Sequence, residues 1–359
     1  MRRNTITPII QALLAALLFG ASAPISKLFL GEIQPIPLAA FLYLGSGIAL
    51  FIVQLIQNKR QSSNKEAAIR RSDFKWLAGA IIAGGVIAPI ILLFGLQNTP
   101  GATASLLLNF EGVATTLIAA FVFKEAVSRR AWWAILLITI ASILLSFSPN
   151  DEWGTSWGAI GVLAACIFWG IDNNFTRNIS ARNPVSIVMV KGFIAGSFSL
   201  FLALVFGNQI PNWTIILKAM VLGSLSYGVS ITLFIRAMRG LGAARTSALF
   251  STAPLAGIAL SFLLLQETVN TMFWSSLPLM IVGALLLVNE EHNHRHIHEP
   301  NVHEHIHRHD DEHHLHTHDD LQPNQLHSHE HEHEYLEHDH HHMPDIHHRH
   351  IHTNGDPGM

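Results

Sequence analysis

Histidine stands at nearly every second position of the stretch HNHRHIHEPNVHEHIHRHDDEHHLHTHDD, residues 292–320, and all 24 histidines of the chain lie between His292 and His352. Imidazole is a common ligand for zinc, nickel and copper, and histidines joined by a short flexible segment chelate one ion together. Spacing at i, i+2 puts neighbours on the same side of an extended strand. Interleaved Asp and Glu add oxygen ligands and favourable charge. The candidate ligands are His292, His294, His296, His298, His303, His305, His307, His309, His313, His314, His316 and His318. Protonated imidazole cannot ligate, so binding should weaken as pH falls through about 6.5. The tail is poor in apolar and aromatic residues, and without metal it is expected to be disordered.

The residues ahead of the tail contain no histidine and one cysteine, Cys166, which cannot form an intrachain disulfide and reads as packing. Half of the whole chain is apolar and 13% is charged, a membrane composition. A bilayer-crossing helix needs about 20 apolar residues. Ten spans are legible, near 8–29, 36–56, 76–97, 102–123, 131–148, 156–176, 185–207, 213–235, 243–265 and 271–288. They leave no room for a soluble catalytic domain. The first span has the look of a signal peptide, with Ala21-Ser22-Ala23 as an apparent cleavage site, but Pro24 would follow the cut and the span is kept as a helix. Phosphate-cradling glycine loops, a nucleophile elbow and an H-E-x-x-H motif are all missing from the sequence, so it reads as neither an ATP-driven pump nor an enzyme. No nucleic-acid partner is expected.

Within the spans, polar chemistry is sparse and therefore informative. Glu111 falls near the middle of the fourth span, where a bare carboxylate costs several kcal/mol unless it meets water, a cation or a proton. It is the leading candidate for a substrate-ammonium or proton site, the alternative being a protonated acid bonded to a neighbouring helix. Asp172 and Asn173, with Asn174, form a polar cluster about a turn from the end of the sixth span. Tyr43, Trp169 and Tyr227 are candidate cavity-lining aromatics, as is Phe110. Lys27 and Lys191 read as snorkelling anchors. Glu125 and Glu267 read as stabilisers of the following turn. Gly84 with Gly85, Gly192 with Gly196, and Gly223 with Gly228 offer small surfaces for close helix contact. Pro24 and Pro89 are expected to kink their helices.

The basic residues fix an orientation. Lys59, Arg60, Lys65, Arg70, Arg71 and Lys75 follow the second span, Lys124, Arg129 and Arg130 the fourth, Arg177 and Arg182 the sixth, and Arg236, Arg239 and Arg245 flank the turn after the eighth. The opposite connections carry Glu32, Asp151, Glu152 and Glu267. The positive-inside rule then puts the N-terminus, and after an even number of spans the tail, in the cytosol of a cell whose cytoplasmic membrane holds the chain.

The spans also repeat. FGASAPISK (19–27) aligns with WGIDNNFTR (169–177), PLAAFLYLG (37–45) with PVSIVMVKG (184–192), and KEAVSRRAWW (124–133) with QETVNTMFWS (266–275). Five spans per copy is an odd number, so the second copy enters the membrane from the opposite side. The expected fold is therefore all-α and integral to the membrane: ten helices as two inverted five-helix repeats, residues 1–150 and 151–290, followed by the tail at 291–359. In secondary transporters such symmetry supplies two related conformations with a site near the midplane.

These motifs resemble a known family. FGAS and WGID, then FEGV (110–113) and TAPL (252–255), then FKE (123–125) and LQE (265–267), look like the two EamA repeats of the drug/metabolite transporter superfamily, over residues 7–289. The resemblance implies a ten-helix bundle moving small organic solutes, often outward. Two departures stand out. Gly112 takes the place where the family commonly has proline, while the second copy keeps Pro254 and has Ala253 where the first has Glu111, and the tail is not part of the family pattern.

The reading is a secondary transporter, in the export direction, of a small organic metabolite, with a cytosolic tail that binds zinc, nickel or copper and no cofactor required. The alternatives are a transition-metal transporter that collects ions on the tail and a metal sensor that kept the fold without transporting. The partners expected are the bilayer, a small-molecule substrate and divalent metal ions.

Overall fold

A computed structural model describes residues 6–59, 67–124, 127–147, 156–179, 182–241 and 252–288 with Thr246, Leu249 and Phe250, and the backbone of four tail segments. Up to residue 288 the regular elements are helices: α1 (Ile6–Gly20), α2 (Ser22–Phe29), α3 (Pro35–Lys59), α4 (Phe74–Ala80), α5 (Ala88–Gln97), α6 (Gly101–Leu107), α7 (Phe110–Phe121), α8 (Arg129–Ser146), α9 (Trp157–Arg177), α10 (Pro184–Val205), α11 (Trp213–Gly223), α12 (Ser230–Leu241), α13 (Ala253–Leu265) and α14 (Thr271–Val288). Two π-helical segments, Ile81–Ile87 and Ser224–Val229, join α4 to α5 and α11 to α12.

Among the described residues, eight helical runs are long and apolar enough to cross a membrane, from Ile6–Phe29 to Trp213–Ala237, and Ala253–Leu265 and Thr271–Leu286 are shorter apolar helices. This is a multi-pass membrane protein. The ninth expected span, 243–265, is described as regular helix only over its second half, because most of 242–251 lies outside the described residues. Helix starts follow local chemistry. Ser128, Ser156, Asn183 and Asn212 each accept a hydrogen bond from a first-turn N–H of α8, α9, α10 and α11, satisfying donors that the helix itself leaves orphaned.

Close backbone approach holds the bundle, as expected where lipid offers no hydrophobic force between helices. A methyl group on Gly47 would lie 2.9 Å from Phe193 N, and one on Gly192 would lie 2.6 Å from Gly47 N, so α3 and α10 meet through glycine. The same helix meets α11 at Gly223, where an added carbon would stand 1.9 Å from Leu42 O.

Three irregularities position the site. The run Gly101–Phe121 is broken at Leu108 and Asn109, where Glu111 N and Gly112 N bond back only three residues, to Leu108 O and Asn109 O. The run Ile6–Phe29 is interrupted at Ala21, three residues before Pro24. The third is the π segment ahead of Pro89, where Ala88 N bonds Ala83 O, five residues back. In that register the next donor would be the residue at 89 and its acceptor Gly84 O, but proline has no N–H. The carbonyl of Gly84 is thereby released at the middle of the span. Among the described residues, the non-glycine positions with left-handed backbone are Lys124 (φ 56°) and Gln266 (φ 51°), each immediately before one of the two aligned glutamates.

Four segments of the tail have extended backbone. Its backbone forms β1 (His292–His298) paired antiparallel with β4 (Leu336–His342), and β2 (Asn301–His307) paired with β3 (His327–His333). The physical reason is in the sequence: alternation with period two is the pattern of a strand, and chelating pairs at i, i+2 share it. His309, His313, His314, His316 and His318 lie outside the described residues, as does Glu125.

Candidate functional site

The released carbonyl of Gly84 organises the centre of the bundle. Tyr43 OH on α3 donates to it at 2.6 Å, and Trp169 Nε1 on α9 donates at 3.2 Å. Tyr227, in the other π segment, stacks on Tyr43 with ring centroids 5.4 Å apart, and Phe19 meets Tyr227 edge-on at 6.1 Å. Against the Cα of Gly84 lies the carboxylate of Asp172. A methyl group on Gly84 would come within 1.9 Å of Asp172 Oδ2, so only glycine admits it. That carboxylate forms an ion pair with Lys191 Nζ from α10 and accepts a hydrogen bond from Thr176 Oγ1 at 3.0 Å. Gly85 lets α10 approach closely at Ala195, whose Cβ would lie 2.8 Å from an added carbon.

Next to this pair is a second polar group. Asn173 Nδ2 donates to Glu111 Oε1 at 2.8 Å and to Thr115 Oγ1 at 3.1 Å, and Thr115 Oγ1 itself donates to Glu111 O at 2.8 Å. Asn174 Nδ2 ties the same helices together through Thr115 O at 3.1 Å and Gly170 O at 2.8 Å. Asp172 and Asn174 are buried, Glu111 is half-buried and Asn173 is exposed. Among the described residues, Glu111 has an amide for a partner and no cation within ion-pair distance.

The six residues singled out from the sequence thus fall in one constellation: Tyr43 on α3, Trp169, Asp172 and Asn173 on α9, Glu111 just after the break in Gly101–Phe121, and Tyr227 in the second π segment. Three residues differ from expectation. Lys191 is not a snorkelling anchor: it stands seven residues inside α10, about 10 Å of helix rise, and pairs with Asp172. Lys27 is not one either, because its Nζ donates to Leu96 O at 3.0 Å and to Thr99 O and lies 3.5 Å from Glu267 Oε1. Glu267 in turn serves a different helix from the one that follows it, its Oε2 accepting from Gly101 N at the start of α6. On the other side of the bundle Arg182 Nε meets Asp73 Oδ2 at 2.8 Å, which ties the connection after α3 to the one after α9. Gly84, Thr115 and Thr176 were missed as site residues. The signal for Gly84 was Pro89, five residues on.

The sequence pattern of the EamA-like transporter family matches residues 6–147 and, a second time, residues 156–289. The chain belongs to this family. Among relatives, it is 28% identical over 292 residues to an uncharacterised transporter of Methanothermobacter thermautotrophicus, covering 77% of this chain and 85% of that one. A shorter likeness, 34% over 110 residues, joins 28% of this chain to 96% of a probable 4-amino-4-deoxy-L-arabinose-phosphoundecaprenol flippase subunit of Pectobacterium atrosepticum. A solved crystal structure superposes with a TM-score of 0.56 at 16% identity, over 77% of this chain and 94% of that one, a likeness of fold. Both matches of the EamA-like family end before the tail, and the constellation around Gly84 draws on each of them. Among the described residues, no group of three or more His, Cys, Asp or Glu side chains is placed to hold a metal ion.

Proposed function

We propose that this EamA-like protein is a secondary transporter that exports a small organic metabolite across the cytoplasmic membrane. Ten segments cross the bilayer as two inverted five-helix units, both termini are cytosolic, and the tail is an accessory that binds zinc, nickel or copper. The observation that carries the reading is the meeting of Glu111, Asn173 and the Asp172–Lys191 pair beside a main-chain carbonyl freed by Pro89. Polar backbone and ionisable side chains at that depth are costly unless they line a hydrated path or hold a ligand. The exposed edge of Asn173 with half-buried Glu111 suits a hydrated space between helices. Glu111, which has no cation partner among the described residues, suits a substrate ammonium or a proton. The inverted arrangement is supported by the double family match, by the left-handed residues before Glu125 and Glu267, and by Gly20 and Gly170. An added carbon on Gly20 would stand 2.1 Å from Ala253 O, and one on Gly170 2.9 Å from Thr115 N, so aligned glycines meet aligned half-helices.

The test is flux into proteoliposomes, with a panel of amines, amino acids, sugars and lipid-linked sugars run beside radioactive zinc and nickel. The reading expects an organic solute to move, and Glu111→Gln to stop it while the protein still folds. Metal crossing a sealed bilayer with no organic solute moving would replace it with the metal-transporter reading.

A further inference from the structure

The tail holds an arrangement more specific than flexible chelating pairs. Period two puts alternate residues of a strand on one face. In the β1–β4 ladder the facing pairs His292 and His342, His294 and His340, and His296 and His338 share a face, and with His298 opposite Leu336 that face has histidine at seven of eight positions. In β2–β3 the pairs are His303 and His331, His305 and His329, and His307 and His327, and with Asn301 opposite His333 the count is again seven of eight. Directly opposite residues have Cβ atoms about 4.5–5.5 Å apart, and successive residues on one face are about 6.8 Å apart. Two neighbouring rungs therefore bring four imidazole-bearing positions to a patch of the size that a four-coordinate ion requires.

We infer that transition-metal ions bind between the paired strands of the tail, each held by histidines of neighbouring cross-strand rungs, so that metal closes residues 292–307 onto 327–342. This rests on the reading that the tail binds metal. The register supports it. Extending the β1–β4 pairing across the two residues that separate β1 from β2 puts Asn301 opposite His333, which is the pairing found in β2–β3, so both ladders follow one register. Between the two strands the sequence has Glu299 and Pro300, and proline has no N–H to give a ladder. On the face without the histidine rungs, Arg295 stands opposite Asp339, a favourable pairing, while Glu304 stands opposite Glu330, an unfavourable one unless a cation is near. Facing imidazoles do not attract each other, and few apolar residues are present to hold the strands. A bridging ion supplies what the sequence otherwise lacks, and binding and folding become one event. Zinc, which takes nitrogen ligands tetrahedrally, fits two adjacent rungs.

The experiment uses the full chain in detergent with Cys166→Ala and spin labels on V302C and E332C, which face each other on the side away from the rungs. Titration with zinc chloride is expected to produce short-range dipolar broadening that EDTA removes. Zinc bound with no change in the spectrum means local chelation along one strand; it overturns the pairing and leaves the metal-binding reading intact. No zinc bound by the tail overturns both. A second variant replaces the histidines of 327–342 with asparagine and keeps those of 292–307. Pairing predicts that zinc affinity of the remaining strand falls on the order of tenfold or more, as a tethered second set of ligands is lost. Reduced capacity at unchanged affinity contradicts it.

Discussion

The two halves of the membrane bundle place several glycines and turns alike, and differ in the charges of the central constellation. Gly20 aligns with Gly170, Gly45 with Gly192, and Gln266 with Lys124. Yet Asp172 aligns with Ser22, Asn173 with Ala23, Lys191 with Leu44, and Glu111 with Ala253. What recurs is what lets helices touch and turn. What does not recur is the charged set of the central constellation, Glu111, Asp172 and Lys191, on α7, α9 and α10. A duplicated scaffold can rock about a centre only if both copies pack alike, whereas a ligand site needs its chemistry once. The comparison therefore separates packing residues from chemical ones without knowledge of the substrate.

The sharpest way to break it is at the ion pair. Asp172→Asn leaves Lys191 charged in a place where its side chain is only 15% exposed, and an uncompensated buried charge costs about 3–5 kcal/mol. We expect a large drop in thermal unfolding temperature in detergent and loss of transport. Gly84→Ala should act alike, by pushing the carboxylate out of its place. At the aligned position Ser22→Ala should cost far less. Equal losses at Asp172 and Ser22 would mean that the halves do not differ in the way described.

Glu111→Gln comes next, with a loss confined to function. Asn173 Nδ2 can still donate to the amide oxygen, so the variant should unfold close to the wild-type temperature while transport, or its pH dependence, disappears. Ala253→Ser, at the aligned position, should transport normally. Unchanged flux in Glu111→Gln from acid to neutral pH would assign the carboxylate to packing.

Much of this was legible in the sequence because membrane constraints are severe. Apolar run lengths placed most span boundaries within a few residues, and the scarcity of polar groups drew attention to Glu111, Asp172 and Asn173. The rest was not legible for physical reasons. Whether Lys191 snorkels or pairs depends on which neighbour faces it, and that neighbour comes from another helix. Gly84 carries no side chain, so its part in the site, a carbonyl freed by a proline five residues on, shows only once the π register is seen. Alternating histidines fit a flexible chelator and a strand equally well, because both need period two.

Tyr43→Phe should have a smaller effect. It removes one of two donors to Gly84 O and leaves Trp169 Nε1 in place, so the carbonyl stays satisfied and the cost should be about 1 kcal/mol. Tyr227→Phe keeps the ring that stacks on Tyr43 and should cost less still. Thermal unfolding of the two variants side by side checks the order. A reversal would place the organising carbonyl elsewhere than at Gly84.

The smallest effect on the bundle should come from the largest deletion. Truncation after Asn289 removes all 24 histidines, yet it leaves both family matches, 6–147 and 156–289, whole. Three ion pairs that join distant parts of the bundle, Lys27 with Glu267, Asp73 with Arg182 and Asp172 with Lys191, lie within what remains. The truncated protein should therefore insert, unfold at nearly the same temperature and move the same solute. It should lose high-capacity binding of zinc, nickel or copper, and any effect of those metals on flux should go with it. The informative failure is a truncated protein that folds but no longer transports. That result would make the histidines part of the path and would move the chemistry of this molecule from its centre to its tail.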